Sequence, residues 1–182
     1  MIFRETKLHG VFIIEPEIIE DLRGFFACSW APAEFEKHGL NPRLVQCNIS
    51  FNKVKGTLRG MHFQNKPHEE AKLVRCTQGA IYDVAVDLRS DSPNRYQWVA
   101  AELTSDNHRL LYIPEGFAHG YQTLTDGAEI FYQMSEYYHP EAAGGVRWDD
   151  PVLGIQWPLP VSVIAERDAN YASLDLTSAS AG

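Results

Sequence analysis

The chain is 182 residues long, carries a formal net charge of −8, and is 45% apolar and 22% charged. That length suits one domain with a substantial buried core, and the composition is that of an ordinary globular protein. The acidic balance excludes a broad basic face for nucleic acid, although a local cationic pocket can still draw in an anionic substrate.

From the N-terminus, Met1 to Gly10 is charged and lacks the apolar stretch of a secretory leader. No apolar run approaches the ~20 residues needed to span a bilayer, so neither membrane nor nucleic acid is expected as a partner. Cys28, Cys47 and Cys76 are scattered without a Cys-x-x-Cys pair. An odd set of this kind reads as reduced thiols, and a cytoplasmic protein is expected. Pro32 to His38 predicts a short helix, with Pro in its first turn and Gly39 just past its end. Ile81 to Leu88 alternates apolar and polar residues, the period of a half-buried strand. Leu110 to Ile113 and Glu129 to Met134 are apolar and aromatic enough to predict further strands. Gly10, Gly24, Gly56, Gly79, Gly116, Gly127 and Gly154 punctuate the chain at the intervals of an all-β fold. Short strands with such turns predict a sandwich or barrel, a jelly roll first among them, with one or two short helices. Residues 1–176 form one predicted domain, and residues 177–182, small and polar, read as a flexible tail.

Two segments carry the chemistry. The first is Gly56-Thr-Leu-Arg-Gly-Met-His-Phe-Gln64 with Glu69 and Lys72 behind it; the second is Ile113-Pro-Glu-Gly-Phe-Ala-His-Gly120. Together they approximate the two-part cupin pattern, whose metal-binding members use three His and a Glu. The matching positions are His62, Gln64, Glu69 and His119. Gln64 breaks the set, because an amide oxygen is a poor substitute for imidazole. An ammonium at Lys72 facing the same cavity would repel a divalent cation. No metal and no other cofactor is therefore expected. His9, His38, His68, His108 and His139 lie outside both segments and are assigned no role.

A cavity with His, Lys, Arg and Tyr suits removal of a proton next to a carbonyl. Histidine is the natural base near neutral pH. The enolate oxygen needs a cation or donor, which Lys72 or His119 can supply. Inversion at carbon needs an acid on the opposite face, and Tyr132, Tyr137 and Tyr138 are candidates.

Further motifs sharpen this reading. Asp21-Leu-Arg-Gly-Phe-Phe26, Gln46-Cys-Asn48, Leu58 to Gln64, Lys72-Leu-Val-Arg75, Asp83 to Arg89, Ile113 to Gly120, Tyr137-Tyr-His-Pro140 and Trp148-Asp-Asp150 follow one another along the chain. In this order the chain resembles the dTDP-4-dehydrorhamnose 3,5-epimerase family, over essentially its whole length to about Asp168. The resemblance implies a cupin jelly roll, a homodimer, no metal, and a dTDP-linked 4-keto-6-deoxyglucose as substrate. It implies that His62 is the base, in a dyad with Asp168, with Lys72 stabilising the enolate and Tyr132 donating the proton. It implies that Arg59 and His119 contact the pyrophosphate and sugar, and that Arg23, Phe26, Gln46 and Asn48 serve the nucleotide end, some from the partner subunit. Tyr138 and Arg167 complete the implied substrate-binding set.

The sequence departs from the family pattern at Cys28, Ala143 and Arg167, where many members carry two acidic residues and a Lys. All three belong to the substrate-binding rim, where losing an exposed contact costs ~1 kcal/mol or less. Three other readings stay open at this point. They are a mono-epimerase acting at carbon 3 or carbon 5 alone or on another nucleotide sugar, a metal-dependent cupin enzyme, and a sugar-binding cupin without catalysis.

Overall fold

The computed structural model describes residues 1–174, so the tail expected at 177–182 lies outside the described residues. The chain opens with β1 (Ile2–Glu5), β2 (Phe12–Glu15), β3 (Ile19–Asp21) and β4 (Gly24–Phe26), then the helix α1 (Pro32–Lys37). There follow β5 (Gln46–Asn52), β6 (Thr57–Gln64), β7 (Lys72–Gln78), β8 (Ala80–Asp87) and β9 (Trp98–Thr104). The last elements are β10 (Leu110–Ile113), β11 (Phe117–Thr123), β12 (Ala128–Met134), β13 (Ala143–Gly145), β14 (Val163–Ile164) and α2 (Glu166–Ala169).

These strands form two six-stranded sheets. One runs β1-β2-β10-β7-β12-β5; the other runs β13-β6-β11-β8-β9, with β14 beside β6. Pairing is antiparallel throughout except for β14 on β6, and β3 and β4 make a separate hairpin. This is the jelly-roll barrel expected. The predicted helix sits where Pro32 and Gly39 place it, with His38 as its C-cap and Gly39 at φ +70°. Phe35, its one buried side chain, packs edge-on against Tyr112 and Phe3. No helix of the described residues is long and apolar enough to cross a membrane.

The core between the sheets is built from Val74, Ile81, Ala85, Leu111, Ile113 and Ile130 among others. A second apolar layer, including Met61, Val84, Val86, Leu153 and Ile155, lies on the far side of the β6-β11-β8 sheet. That layer corrects the reading of Ile81 to Leu88. The strand is covered on both faces, and its polar residues Asp83 and Asp87 are wholly buried rather than facing water. Asp87 is satisfied by Arg89 and Ser92, whereas Asp83 is paired with His119 through Oδ1 alone, its buried Oδ2 finding no partner among the described residues. The alternation is genuine, but its polar side includes the barrel interior.

Candidate active site

One mouth of the barrel holds a cavity of about 390 Å³ between the two sheets. Cross-strand register assembles its first wall. Met134 lies between Gln46 and Lys72, and Tyr132 lies between Asn48 and Val74. Side chains two apart on a strand share a face, so Gln46, Asn48 and Ser50 line the cavity with Lys72, Tyr132 and Met134. The opposite wall comes from β6 and β11, where His62 pairs with His119 and Arg59 with Tyr121.

That second wall depends on an irregularity. Three steps along β6, from Arg59 to His62, oppose two along β11, from His119 to Tyr121. Residues three apart on a regular strand point to opposite faces, and a bulge resets the alternation. Arg59 and His62 therefore both reach the cavity. The inserted curvature brings the backbones of Gly60 and Gly120 together. A Cβ on Gly60 would sit 2.5 Å from Gly120 Cα, and Gly60 has φ +130°, a conformation that few side chains tolerate.

Beneath His62 lies Asp168, which is only 2% exposed. His62 Nε2 is 2.8 Å from Asp168 Oδ1, and the Gly60 N–H donates to Asp168 Oδ2 at 3.1 Å. The bulge and the carboxylate thus hold each other. Arg167 Nη2 also approaches His62 Nε2, at 3.3 Å. A guanidinium can only donate, and the carboxylate can only accept. The shorter contact assigns the Nε2 proton to Asp168 and leaves the lone pair on Nδ1. Burial holds the His62 imidazole below its usual value, outweighing the Asp168 hydrogen bond that raises it. Burial pushes the Asp168 carboxyl up, but the His62 and Gly60 hydrogen bonds together hold it below the usual carboxylate range. At neutral pH the pair is a neutral imidazole on a carboxylate.

Across the cavity, Tyr132 has its phenol pushed above the usual range, chiefly by burial, with Glu70 adding to the rise and Arg59 opposing it. Lys72 is buried and pairs with Glu70 Oε1 at 2.9 Å. It is therefore not a solvated residue at a strand end. His119 is held by Asp83 at 2.7 Å, making a second imidazole–carboxylate pair. Arg59 Nε donates to Asn52 at 2.8 Å, and Asn52 in turn donates to the hydroxyl of Tyr121.

Tyr138 and Arg167, both named from the sequence, also line the cavity, whereas Tyr137 does not. Arg23 and Phe26 stay outside it, on the exposed β3–β4 hairpin, where Arg23 is tied to Asp21. Cys28, one rim position, is exposed and also outside; Ala143, another, lines the rim. The Glu of the cupin match is also reassigned. Glu69 lines a different cavity, and its neighbour Glu70 enters this one. Gln64 uses its amide to tie loops together, donating to the carbonyls of His68 and Tyr137 and accepting from the His139 N–H. Sequence reasoning missed Glu70, Asp83 and Tyr171. The Tyr171 ring packs against Gly145, leaving no room for a Cβ there. Glu70 is two residues from Lys72 in an extended segment, and that spacing is the signal that could have found it.

Among the described residues, His68, His139 and Glu141 form a group whose ligand-type atoms lie within 4.8 Å of one another. The group lies on loops outside the cavity lining.

The barrel and its cavity define a cupin-type protein whose interior carries a carboxylate-held imidazole, a phenol and an ammonium. The family model described as dTDP-4-dehydrorhamnose 3,5-epimerase matches residues 5–175. The chain belongs to that family. It is 46% identical over 176 residues to a dTDP-4-dehydrorhamnose 3,5-epimerase of Methanothermobacter thermautotrophicus, covering 94% of each chain. The crystal structure of the Elizabethkingia anophelis enzyme of the same name superposes with a TM-score of 0.92, at 39% identity, covering 95% of this chain and 96% of that one. A dTDP-6-deoxy-D-glucose-3,5-epimerase from Legionella pneumophila, solved in complex with dTDP-4-keto-L-rhamnose, matches at a TM-score of 0.89 and 40% identity, covering 96% and 93%.

Proposed function

We infer that the chain epimerises a dTDP-linked 4-keto-6-deoxy sugar, converting dTDP-4-dehydro-6-deoxy-D-glucose to dTDP-4-dehydro-L-rhamnose. One observation carries this reading: His62 and Tyr132 enter the same cavity from opposite sheets. A sugar ring lying between them offers one face to the base and the other to the acid.

His62 Nδ1 takes the proton next to the ketone, and Asp168 steadies the imidazolium that results, as the carboxylate does in a serine-protease triad. The electron pair moves onto the keto oxygen, where the Lys72 ammonium meets it. Tyr132, kept protonated by burial, delivers a proton to the other face. Arg59, His119, Tyr138 and Arg167 hold the substrate's diphosphate and sugar, and Gln46 and Asn48 extend the site toward the nucleotide.

Arg23 and Phe26 fit this scheme through a second copy of the chain. Their hairpin exposes Ile19, Leu22, Phe25 and Phe26, an apolar set that a homodimer would cover while delivering both residues to the partner's cavity. The reaction needs no metal or other cofactor in this scheme. Gln64 is committed to backbone groups, and a cation at the His62–His119 end would stand against Lys72. Residues 1–176 act as one unit, and the free thiols of Cys28, Cys47 and Cys76 suit the cytoplasm.

Incubation with dTDP-4-keto-6-deoxyglucose in heavy water, with exchanged carbons counted by NMR, tests the reading. Deuterium at both carbon 3 and carbon 5 is expected. Exchange at one carbon alone would make the chain a mono-epimerase. Binding without exchange would leave it a sugar-binding cupin.

A further inference from the structure

Glu70 has no place in the scheme above, yet it is one of the most confined charged groups in the cavity. Its side chain is 4% exposed and that of Lys72 is 8%. The peptide between them is clamped in both directions: the Ala71 N–H donates to Ser135 Oγ at 2.8 Å, and the Ser135 N–H donates to the Ala71 carbonyl at 3.0 Å. With Ala71 fixed, the two charged residues flanking it lie on the same side of the extended chain. Their pairing is built into the backbone.

Stability alone does not account for the pair. Burying two opposite charges costs about as much in lost hydration as their attraction returns. Glu70 Oε2, moreover, is buried without any hydrogen-bond partner among the described residues, which adds a further cost. The contacts of Lys72 suggest what offsets it. An ammonium has three N–H donors. The ammonium is ion-paired with Glu70 Oε1 at 2.9 Å, and one N–H makes a long contact to the His62 carbonyl at 3.4 Å. That leaves donor capacity for the cavity, which Lys72 lines. Without Glu70 a flexible four-carbon stem would be anchored by the long contact alone.

We propose that Glu70 is the positioning residue for Lys72, fixing the ammonium so that its remaining N–H meets the oxygen on which negative charge collects. This rests on the epimerase reading above and adds to it the residue that orients the cation. Glu70 touches no reacting atom. Its contribution is to spare Lys72 any reorganisation as the enolate forms, which is the condition for large electrostatic stabilisation.

The test compares wild type with Glu70→Ala, Glu70→Gln, Lys72→Ala and the Glu70→Ala/Lys72→Ala pair, each assayed with dTDP-4-keto-6-deoxyglucose in heavy water. Glu70→Ala should lower kcat and deuterium wash-in by about 10- to 100-fold, the scale of a misplaced catalytic group. KM should move by less than about threefold, since the group acts on the transition state. Glu70→Gln, whose carbonyl can still accept from Nζ, should recover to within about fivefold of wild type. The double variant should be no slower than Lys72→Ala, because two residues acting as one unit are not additive.

Wild-type kcat in Glu70→Ala overturns the proposal, and so do multiplying losses in the double variant. Should Glu70→Ala fail to fold, Glu70→Asp takes its place, withdrawing the carboxylate by one methylene. The same loss is expected, and an unchanged kcat overturns the proposal equally. Absence of wash-in from the wild-type protein would instead sink the epimerase reading itself, and the two failures are distinguishable.

Discussion

His62 and Asp168 stand 106 residues apart in the chain, yet Nε2 of one lies 2.8 Å from Oδ1 of the other. The short helix α2 delivers the carboxylate to the back of β6, and the bulge at Gly60 fixes it there by a second hydrogen bond. The imidazole is thus held by two parts of the chain that meet only in the folded barrel.

The first prediction follows from that relationship. His62→Ala should slow turnover and solvent exchange at every carbon by about 100- to 10,000-fold, the usual range for a lost general base. Asp168→Asn should leave substrate binding within a few fold while lowering kcat, because an amide can present its N–H to Nε2 and so stabilise the wrong tautomer. Steady-state kinetics on both variants check this; wild-type kcat from either removes that residue from the mechanism.

The pH profile should be flat across neutrality. His62 must be neutral to act, and burial holds its imidazole below the usual value, so activity falls only when the pH drops below the range of an ordinary histidine. Tyr132 must be protonated to donate, and burial raises its phenol above the usual range, so the alkaline limb lies correspondingly high. A kcat/KM profile on the free enzyme measures both limbs. An acid limb above the range of an ordinary histidine would contradict the assignment.

Gly60→Ala should damage stability and the site together. The added methyl would meet Gly120 Cα at 2.5 Å from a backbone at φ +130°. Strain and overpacking of this kind cost on the order of 2–4 kcal/mol, or a Tm lower by about 5–15 °C for a domain of this size. Because the Gly60 N–H also holds Asp168, kcat should fall in whatever fraction still folds. Calorimetry and kinetics on the same sample test both parts.

The hairpin yields a prediction about assembly. Phe26→Asp places a charge on an apolar patch that includes Leu22 and Phe25, and should convert a dimer to monomers in analytical ultracentrifugation. The monomers should bind substrate more weakly, while His62, Lys72 and Tyr132 stay in place on their own barrel. A monomeric variant with wild-type KM would show that Arg23 and Phe26 serve no neighbouring site.

Much of this was legible in the sequence, and its limits were physical. Pro32 and Gly39 bound a helix by their own backbone preferences, so α1 emerged almost to the residue. Ile81 to Leu88 showed its alternation but not that both faces are covered, because the second apolar layer made of Met61, Leu153 and Ile155 comes from elsewhere in the chain. Asp83 was hidden because the polar side of the strand faces the barrel interior rather than water. The motifs holding His62, Lys72 and His119 placed all three at one cavity. Glu70 escaped because the pattern match favoured Glu69, and only the extended geometry around Ala71 decides which carboxylate turns inward. Tyr171 carries no local signal; its place depends on the bare backbone of Gly145.

Tyr132→Phe in heavy water tests the central claim, a base on one sheet and an acid on the other. The variant keeps the ring and removes the proton donor. His62 should still take the substrate proton and return deuterium to its own face, so wash-in should continue while inversion drops sharply. Inversion at the wild-type rate would make Tyr132 a packing residue and Tyr138, also in the cavity, the next donor to test. A variant that binds substrate but neither exchanges nor inverts would contradict the division of labour between His62 and Tyr132.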